Sequence, residues 1–361
     1  MVAARTERAW PWALALAGAL AFGVLLVRAS PPAARAAGCL WRAVGSPSPD
    51  SLSIVSAPEV WRFGAGVSAL VDQDFWLPRL GAGWYLDWRA SDRPGCAEPE
   101  HWQMVRVHPD GTTPTVAEAR RLAARHPGQV WIIGNEPDVA SQDGVTYERY
   151  ARAYHDLYTA LKSADPAARV AVGGVAQATP LRLRYLEGVL RTYLQEFGRP
   201  LPVDVWTVHG YVLNEARGEW GAGIPVGLAE DAGARRSLAD HGDLQIFAAQ
   251  ILAFRRWMRE HGYRQRPLAL TEYGILLPPE FGYPVERTAG YLTASFDWLR
   301  TAQDDRVGYP LDDNHLVQRW AWFSLADPVY PASNLIDPRA NEPTLIGQAF
   351  RAYVGSLADE P

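Results

Sequence analysis

Cysteine is scarce in this chain: Cys39 and Cys96 are the two in 361 residues. At most one disulfide can form, and no Cys/His cluster has metal-ligand spacing. There is no HExxH either, so the sequence predicts neither a metal site nor a cofactor. Charge is modest and balanced, with 21% charged residues and a net charge of -5, both signs interspersed. That gives no basis for binding nucleic acid. No short internal repeat is visible. What the chain does have is tryptophan, 15 of them. An aromatic excess supplies flat faces on which the C–H faces of sugars pack, although a given tryptophan more often fills a core.

The N-terminus reads as a targeting segment. Arg5 and Arg8 precede an uncharged run over 10–27, followed by Arg28 and a Pro/Ala-rich stretch. The run is long for a signal-peptide core and about long enough to span a bilayer. Residues 1–29 are expected to be a signal peptide or signal anchor, with an uncleaved anchor favoured, and 30–59 a linker. The protein would then be secreted or anchored to the outer face of the cytoplasmic membrane. Cys39 follows Ala36-Ala-Gly38, but polar residues and two prolines separate it from the apolar run, which argues against lipid attachment. In an exported chain Cys39 and Cys96 would be either a disulfide or two thiols.

From about residue 60, short apolar runs alternate with helical patterns, the signature of parallel β/α units. Strands are predicted near 63–68, 84–88, 102–107, 130–135, 170–175, 203–209, 268–272 and 316–323. Eight such runs predict a (β/α)8 TIM barrel over residues 60–358, preceded by the N-terminal hydrophobic segment. Helical spacing is clearest in Tyr147, Tyr150, Tyr154, Leu157 and Leu161, and again in Phe247, Ile251, Phe254 and Met258. No helix is evident after the second strand, where 91–100 reads as loop. The long Gly- and Ala-rich segment 211–241 follows the sixth strand, on the catalytic face of a barrel. It is expected to shape a substrate site or to be a mobile insertion.

Two glutamates end two of these runs: Glu136 in Trp131-Ile-Ile-Gly-Asn-Glu-Pro-Asp138 and Glu272 in Leu268-Ala-Leu-Thr-Glu-Tyr-Gly274. Active sites of such barrels lie at the C-terminal strand ends. Two carboxylates presented there are what acid/base hydrolysis of a glycosidic bond requires. Either glutamate alone could equally be a surface carboxylate facing a helix N-terminus. Strict strand alternation cannot point Asn135 and Glu136 both inward, so a bulge or twist is expected at that strand end.

At these residues the chain resembles clan A glycoside hydrolases, in which the acid/base glutamate follows an Asn at the end of strand 4 and the nucleophile ends strand 7. Within that clan, Gly134-Asn-Glu-Pro-Asp138, Trp84-Tyr-Leu-Asp-Trp88, Val203-Asp-Val-Trp-Thr-Val-His209 and Thr271-Glu-Tyr-Gly274 are similar to family 128, whose known members act on β-1,3-glucans. The resemblance covers roughly 60–355, and the stretch 101–111 departs from it. It implies a retaining double displacement with Glu136 as acid/base and Glu272 as nucleophile. Asn135 would bind the sugar 2-hydroxyl, although a turn asparagine bonding its own backbone is the plainer reading. His209 or Tyr211 would hold the nucleophile. The aromatic platform would come from Trp322 rather than Trp320, Trp88 is the cleft candidate of strand 2, and Tyr273 is left ambiguous. Asp87, Arg89, Arg106 and Gln177 are candidate hydroxyl ligands, equally explained by ordinary salt bridges. The implied partner is a polysaccharide or oligosaccharide, the membrane entering only through an uncleaved N-terminus, and the expected state a monomer. A family 39-like xylosidase, a transglycosylase using the same residues, a catalytically silent glycan-binding barrel, and an inverting enzyme with Asp138 as base are the alternatives.

Overall fold

A computed structural model describes residues 59–93 and 99–358. The N-terminal apolar run, the stretch 30–58 and both cysteines lie outside the described residues, and with them the anchor and the disulfide. Among the described residues no helix is long and apolar enough to cross a membrane.

Each of the eight apolar runs overlaps a strand, most of them shorter than the run; the strands Gln103–His108 and Leu268–Tyr273 each extend one residue past the predicted end. In chain order the strands are β1 (Phe63–Gly66), β2 (Trp84–Leu86), β3 (Glu100–His101), β4 (Gln103–His108), β5 (Gly111–Thr113), β6 (Val130–Ile133), β7 (Arg169–Val172), β8 (Trp206–His209), β9 (Leu268–Tyr273), β10 (Arg319–Trp322), β11 (Ile336–Asp337) and β12 (Glu342–Pro343). The helices are α1 (Gln73–Leu80), α2 (Val116–Arg125), α3 (Tyr147–Ala164), α4 (Pro180–Phe197), α5 (Leu244–Glu260), α6 (Val285–Thr301) and α7 (Leu345–Ala358). One parallel sheet runs β3-β2-β1-β10-β9-β8, and a second runs β5-β4-β6-β7. In the second, β5 pairs antiparallel with β4, a hairpin that the sequence reading did not include. β3 leads into β4 across Trp102, whose N–H donates to Tyr85 O at 2.9 Å. At the other edge Ala171 of β7 bridges in parallel to Val205, just ahead of β8. The architecture is mixed α/β with parallel sheets.

The strands read as apolar throughout because both faces are covered, and the period of two divides them. One compact cluster collects Leu86, Trp102, Met104, Val130, Ile132, Ala171, Val205, Ala269 and Ala321. The intervening residues Val105, Trp131, Ile133, Val172, Leu270, Trp320 and Trp322 belong to the larger cluster shared with the helices. Helices α3 and α5 bury the periodic residues expected of them: Tyr150, Tyr154, Leu157 and Leu161, then Phe247, Ile251, Phe254 and Met258. Thr115 and Glu118 form a capping box at the start of α2.

Candidate active site

Glu136 and Glu272 meet at the C-terminal ends of β6 and β9, and neither gets there by simple alternation. Leu268 and Leu270 of β9 point to the helices, which would send Glu272 the same way. The register of β9 shifts against both β8 and β10 between Leu270 and Tyr273. This bulge re-aims Glu272, a common function of bulges beside active sites. After β6 the chain turns through Gly134 at φ 87 and Glu136 at φ 43. A glutamate in the left-handed region costs on the order of 1–3 kcal/mol and persists only where its surroundings fix it. Here Glu136 N–H donates to Gly174 O at 3.0 Å and Val139 N–H to Glu136 O at 3.0 Å. Asn135 N–H donates to Asp143 Oδ2 at 2.8 Å. The departure from alternation expected at Asn135-Glu136 is this corner.

His209 stands between the two carboxyl groups. Its Nδ1 lies 2.9 Å from Glu136 Oε1 and its Nε2 3.6 Å from Glu272 Oε1. Trp88 Nε1–H donates to Glu272 Oε1 at 2.6 Å, and Tyr211 Oη to Glu272 Oε2 at 3.3 Å. All are sheltered: Glu136 is 8% exposed, Glu272 6% and His209 1%. The sequence left open which of His209 and Tyr211 attends Glu272. Tyr211 and Trp88 donate to it, while His209 bonds Glu136 and faces both.

Burial lifts the Glu272 carboxyl above the ordinary range; the His209 charge opposes this, Glu136 adds to it, and the bonds from Trp88 and Tyr211 oppose it again. Burial disfavours an imidazolium at His209, but the Glu272 charge, then the bond and charge of Glu136, outweigh it and raise the histidine. Burial first, then both carboxylates, push the Tyr211 phenol well up, so it remains a donor. One donor atom from each of Glu136, His209 and Glu272 lies within 4.8 Å of the others, close enough to hold a divalent cation. His209 Nδ1 is engaged with Glu136, which leaves Nε2, without a hydrogen-bond partner among the described residues, as the nitrogen a cation could take.

His209 needs the small residue opposite. A Cβ on Gly174 would lie 2.6 Å from His209 Cδ2 and 2.9 Å from Nε2. Gly174→Ala is therefore expected to displace the imidazole and lower kcat by about 10–100-fold in a folded protein, since small misplacements at a reacting centre cost that much. Steady-state kinetics beside circular dichroism would check it. An unchanged kcat would mean the ring tolerates the shift.

Three of the aromatic candidates lie elsewhere. Trp320 packs on Phe63 at 4.9 Å, and Trp322 on Tyr273 at 5.3 Å, with Trp322 Nε1–H donating to Ser333 O at 2.8 Å. Tyr273 in turn packs on Phe247 at 5.5 Å. All three fill the layer between sheet and helices; on β10 this is because Ala321 takes the inward position between the two indoles. The same parity brings Phe323 to the site, with its ring 5.8 Å from Trp88 and 6.4 Å from Tyr211. Counting by two from Ala321 would have found it. Tyr330, 6.3 Å from Phe323, was also missed; burial and then the Glu136 charge raise its phenol.

The polar candidates are engaged in ion pairs and hydrogen bonds within the protein. Asp87 pairs with Arg89 at 3.0 Å and with His101 at 2.8 Å, Arg106 with Asp143 at 2.5 Å, and Gln177 donates to Glu215 at 3.1 Å. Asp138, the base of the inverting alternative, is fully buried against Arg182. Asn135 is buried, and its Oδ1 has no hydrogen-bond partner among the described residues.

No protein-family model matches the chain, and no curated protein sequence does. Solved structures do. A GH128 subgroup I endo-β-1,3-glucanase from Amycolatopsis mediterranei, in complex with laminaritriose, is 20% identical with a TM-score of 0.55, covering 81% of this chain and 98% of that one. A GH128 subgroup III curdlan-specific exo-β-1,3-glucanase from Blastomyces gilchristii is 18% identical with a TM-score of 0.53, covering 82% and 99%. A GH128 subgroup II endo-β-1,3-glucanase from Pseudomonas viridiflava is 16% identical with a TM-score of 0.55, covering 81% and 97%. At these identities the likeness is one of fold.

Proposed function

We propose that the chain is a retaining glycoside hydrolase of β-linked glucans, with β-1,3-glucans the first candidates. The observation that carries this reading is the pair of buried carboxyl groups joined through His209, with oxygens within 4.8 Å. Retaining enzymes hold their carboxyls about 5–5.5 Å apart, whereas inverting enzymes leave about 6.5–9.5 Å for a water. The choice of β-1,3-glucans rests on the substrates and ligands of the similarly folded glucanases. Closure of the two sheets into one (β/α)8 barrel over 60–358 is supported by the β3–β4 continuity, the Ala171–Val205 bridge and the shared inner cluster. Residues 1–29 would direct or anchor the enzyme to the outer face of the cytoplasmic membrane, 30–59 would be the linker, and the enzyme would act as a monomer.

Glu272 is the nucleophile in this reading; the bonds from Trp88 and Tyr211 and the charge of His209 favour its ionised form against the burial that raises its pKa. It attacks the anomeric carbon while Glu136 gives its proton to the leaving oxygen. Esterification removes the Glu272 charge, which lets Glu136 remain ionised and take a proton from the incoming water. His209, raised by the two carboxylates it faces, lies between them to take up part of their negative charge. The unpartnered Asn135 Oδ1 can accept from a sugar hydroxyl.

The test is hydrolysis of a panel of β-1,3-, β-1,4- and β-1,6-linked glucans, with the first anomer released read by proton NMR. The expected result is cleavage of a β-1,3-glucan with the β-anomer appearing first. An α-anomer first would overturn the retaining mechanism. Glycan binding without hydrolysis on any substrate would overturn the enzyme.

A further inference from the structure

Arg182, in the first turn of α4, is completely buried although nothing in the mechanism uses it. Its guanidinium joins two loops that are far apart in sequence. Nη1 donates to Asp138 in the loop after β6. Nε donates to Glu215 Oε1 at 2.9 Å, and Nη2 to Ala222 O at 3.0 Å and Gly223 O at 2.9 Å, all in the long loop after β8. The Glu215 carboxylate is itself saturated, accepting from Thr179 Oγ1 at 2.5 Å and Ala234 N–H at 2.9 Å. Val226 N–H donates to Asp138 O at 2.9 Å, tying the same two loops a second time. A planar fork with fixed donors suits such a junction, and lysine cannot reproduce it.

Asp138 is two residues from Glu136, whose left-handed backbone requires outside support. Asp143, paired with Arg106, holds the near side of that corner through the N–H groups of Asn135 and Val107. Arg182 holds the far side. We infer that Arg182 is a positioning residue for Glu136, locking the acid/base corner and the 211–241 loop into one fixed wall on the side from which the leaving group departs. This rests on the hydrolase reading above. Of the two readings of that segment, a substrate-shaping loop or a mobile insertion, it favours the first.

The role has a chemical signature. In the first half-reaction the C1–O bond breaks and its electron pair takes the Glu136 proton, while a Glu272 oxygen forms the new bond to C1. A sugar leaving group needs that proton; a 2,4-dinitrophenolate does not. A misplaced Glu136 should therefore slow natural substrates selectively, while general collapse of the site would slow both alike.

The experiment compares kcat/KM, which reports events up to the covalent step, for a laminari-oligosaccharide and a dinitrophenyl β-glucoside. It uses wild type, Arg182→Gln, Arg182→Lys and the milder Glu215→Gln. Arg182→Gln is expected to lose about 100-fold on the oligosaccharide and under about threefold on the aryl glucoside, with lysine failing to rescue. Glu215→Gln should lose about 10-fold in the same selective way, and carries the test alone if the arginine variants do not fold. Equal losses on both substrates, or no loss on either, would overturn the positioning role. A wild type inactive on both would overturn the hydrolase reading, and this inference with it.

Discussion

Glu272→Gln is expected to remove glucan hydrolysis almost completely, by about 10⁴-fold or more in kcat, while leaving the protein folded and able to bind glucan. The substitution keeps shape and volume. The amide oxygen can still accept from Trp88 Nε1, and the amide group can still meet Tyr211 Oη. What disappears is the anionic oxygen that attacks the anomeric carbon, and no neighbour can replace it. His209 is held between the carboxyls, and Asp138 is completely buried with one oxygen on Arg182. The check is kinetics beside isothermal titration with a laminari-oligosaccharide. Affinity within about threefold of wild type, with activity gone, is the expected pattern for loss of an interaction used only in the transition state. Residual activity above about one part in a hundred would mean that another group attacks.

Much of this site could be read along the chain, because an apolar run buried on both faces and closed by a carboxylate is a local pattern. Glu136, Glu272, His209, Tyr211 and Trp88 were all candidates before the structure, and it brings the five together. The misplacements came from parity. Trp320 and Trp322 do share a face, as period-two spacing requires, but the sequence does not say which face. Ala321 between them is small enough to share the crowded inner cluster with Ala269, so the two indoles turn outward. The bulge in β9 has the opposite effect, bringing inward a glutamate that strict counting from Leu270 sends outward.

The 211–241 loop was illegible for a different reason. Its composition resembles a mobile insertion, and the residue that orders it, Arg182, lies in another βα unit. Long-range satisfaction of a buried charge leaves no local pattern. The backbone at Glu136 is similar: Gly134 marks a turn, yet only the contacts to Gly174, Asp143 and the Arg182 junction explain a glutamate at φ 43.

Glu136→Ala should divide the reaction into its two halves. On a glucan, the loss in kcat/KM is expected to be about 10³-fold, the range general acid catalysis supplies. On a dinitrophenyl glucoside the first half proceeds, because the leaving group departs unprotonated and Glu272 still attacks. The covalent intermediate then stalls, since no base remains to take the proton from water. Azide is an anion that needs no base, and the shortened side chain leaves room beside His209 for it to enter. Added azide should therefore restore turnover of the aryl glucoside and release a glycosyl azide, while the glucan stays uncleaved. Stereochemistry makes the test decisive. Two successive inversions, at Glu272 and then at azide, give the β-azide. An α-azide would require direct displacement and exclude Glu272 as nucleophile, and absence of any azide product would remove Glu136 from the acid/base role.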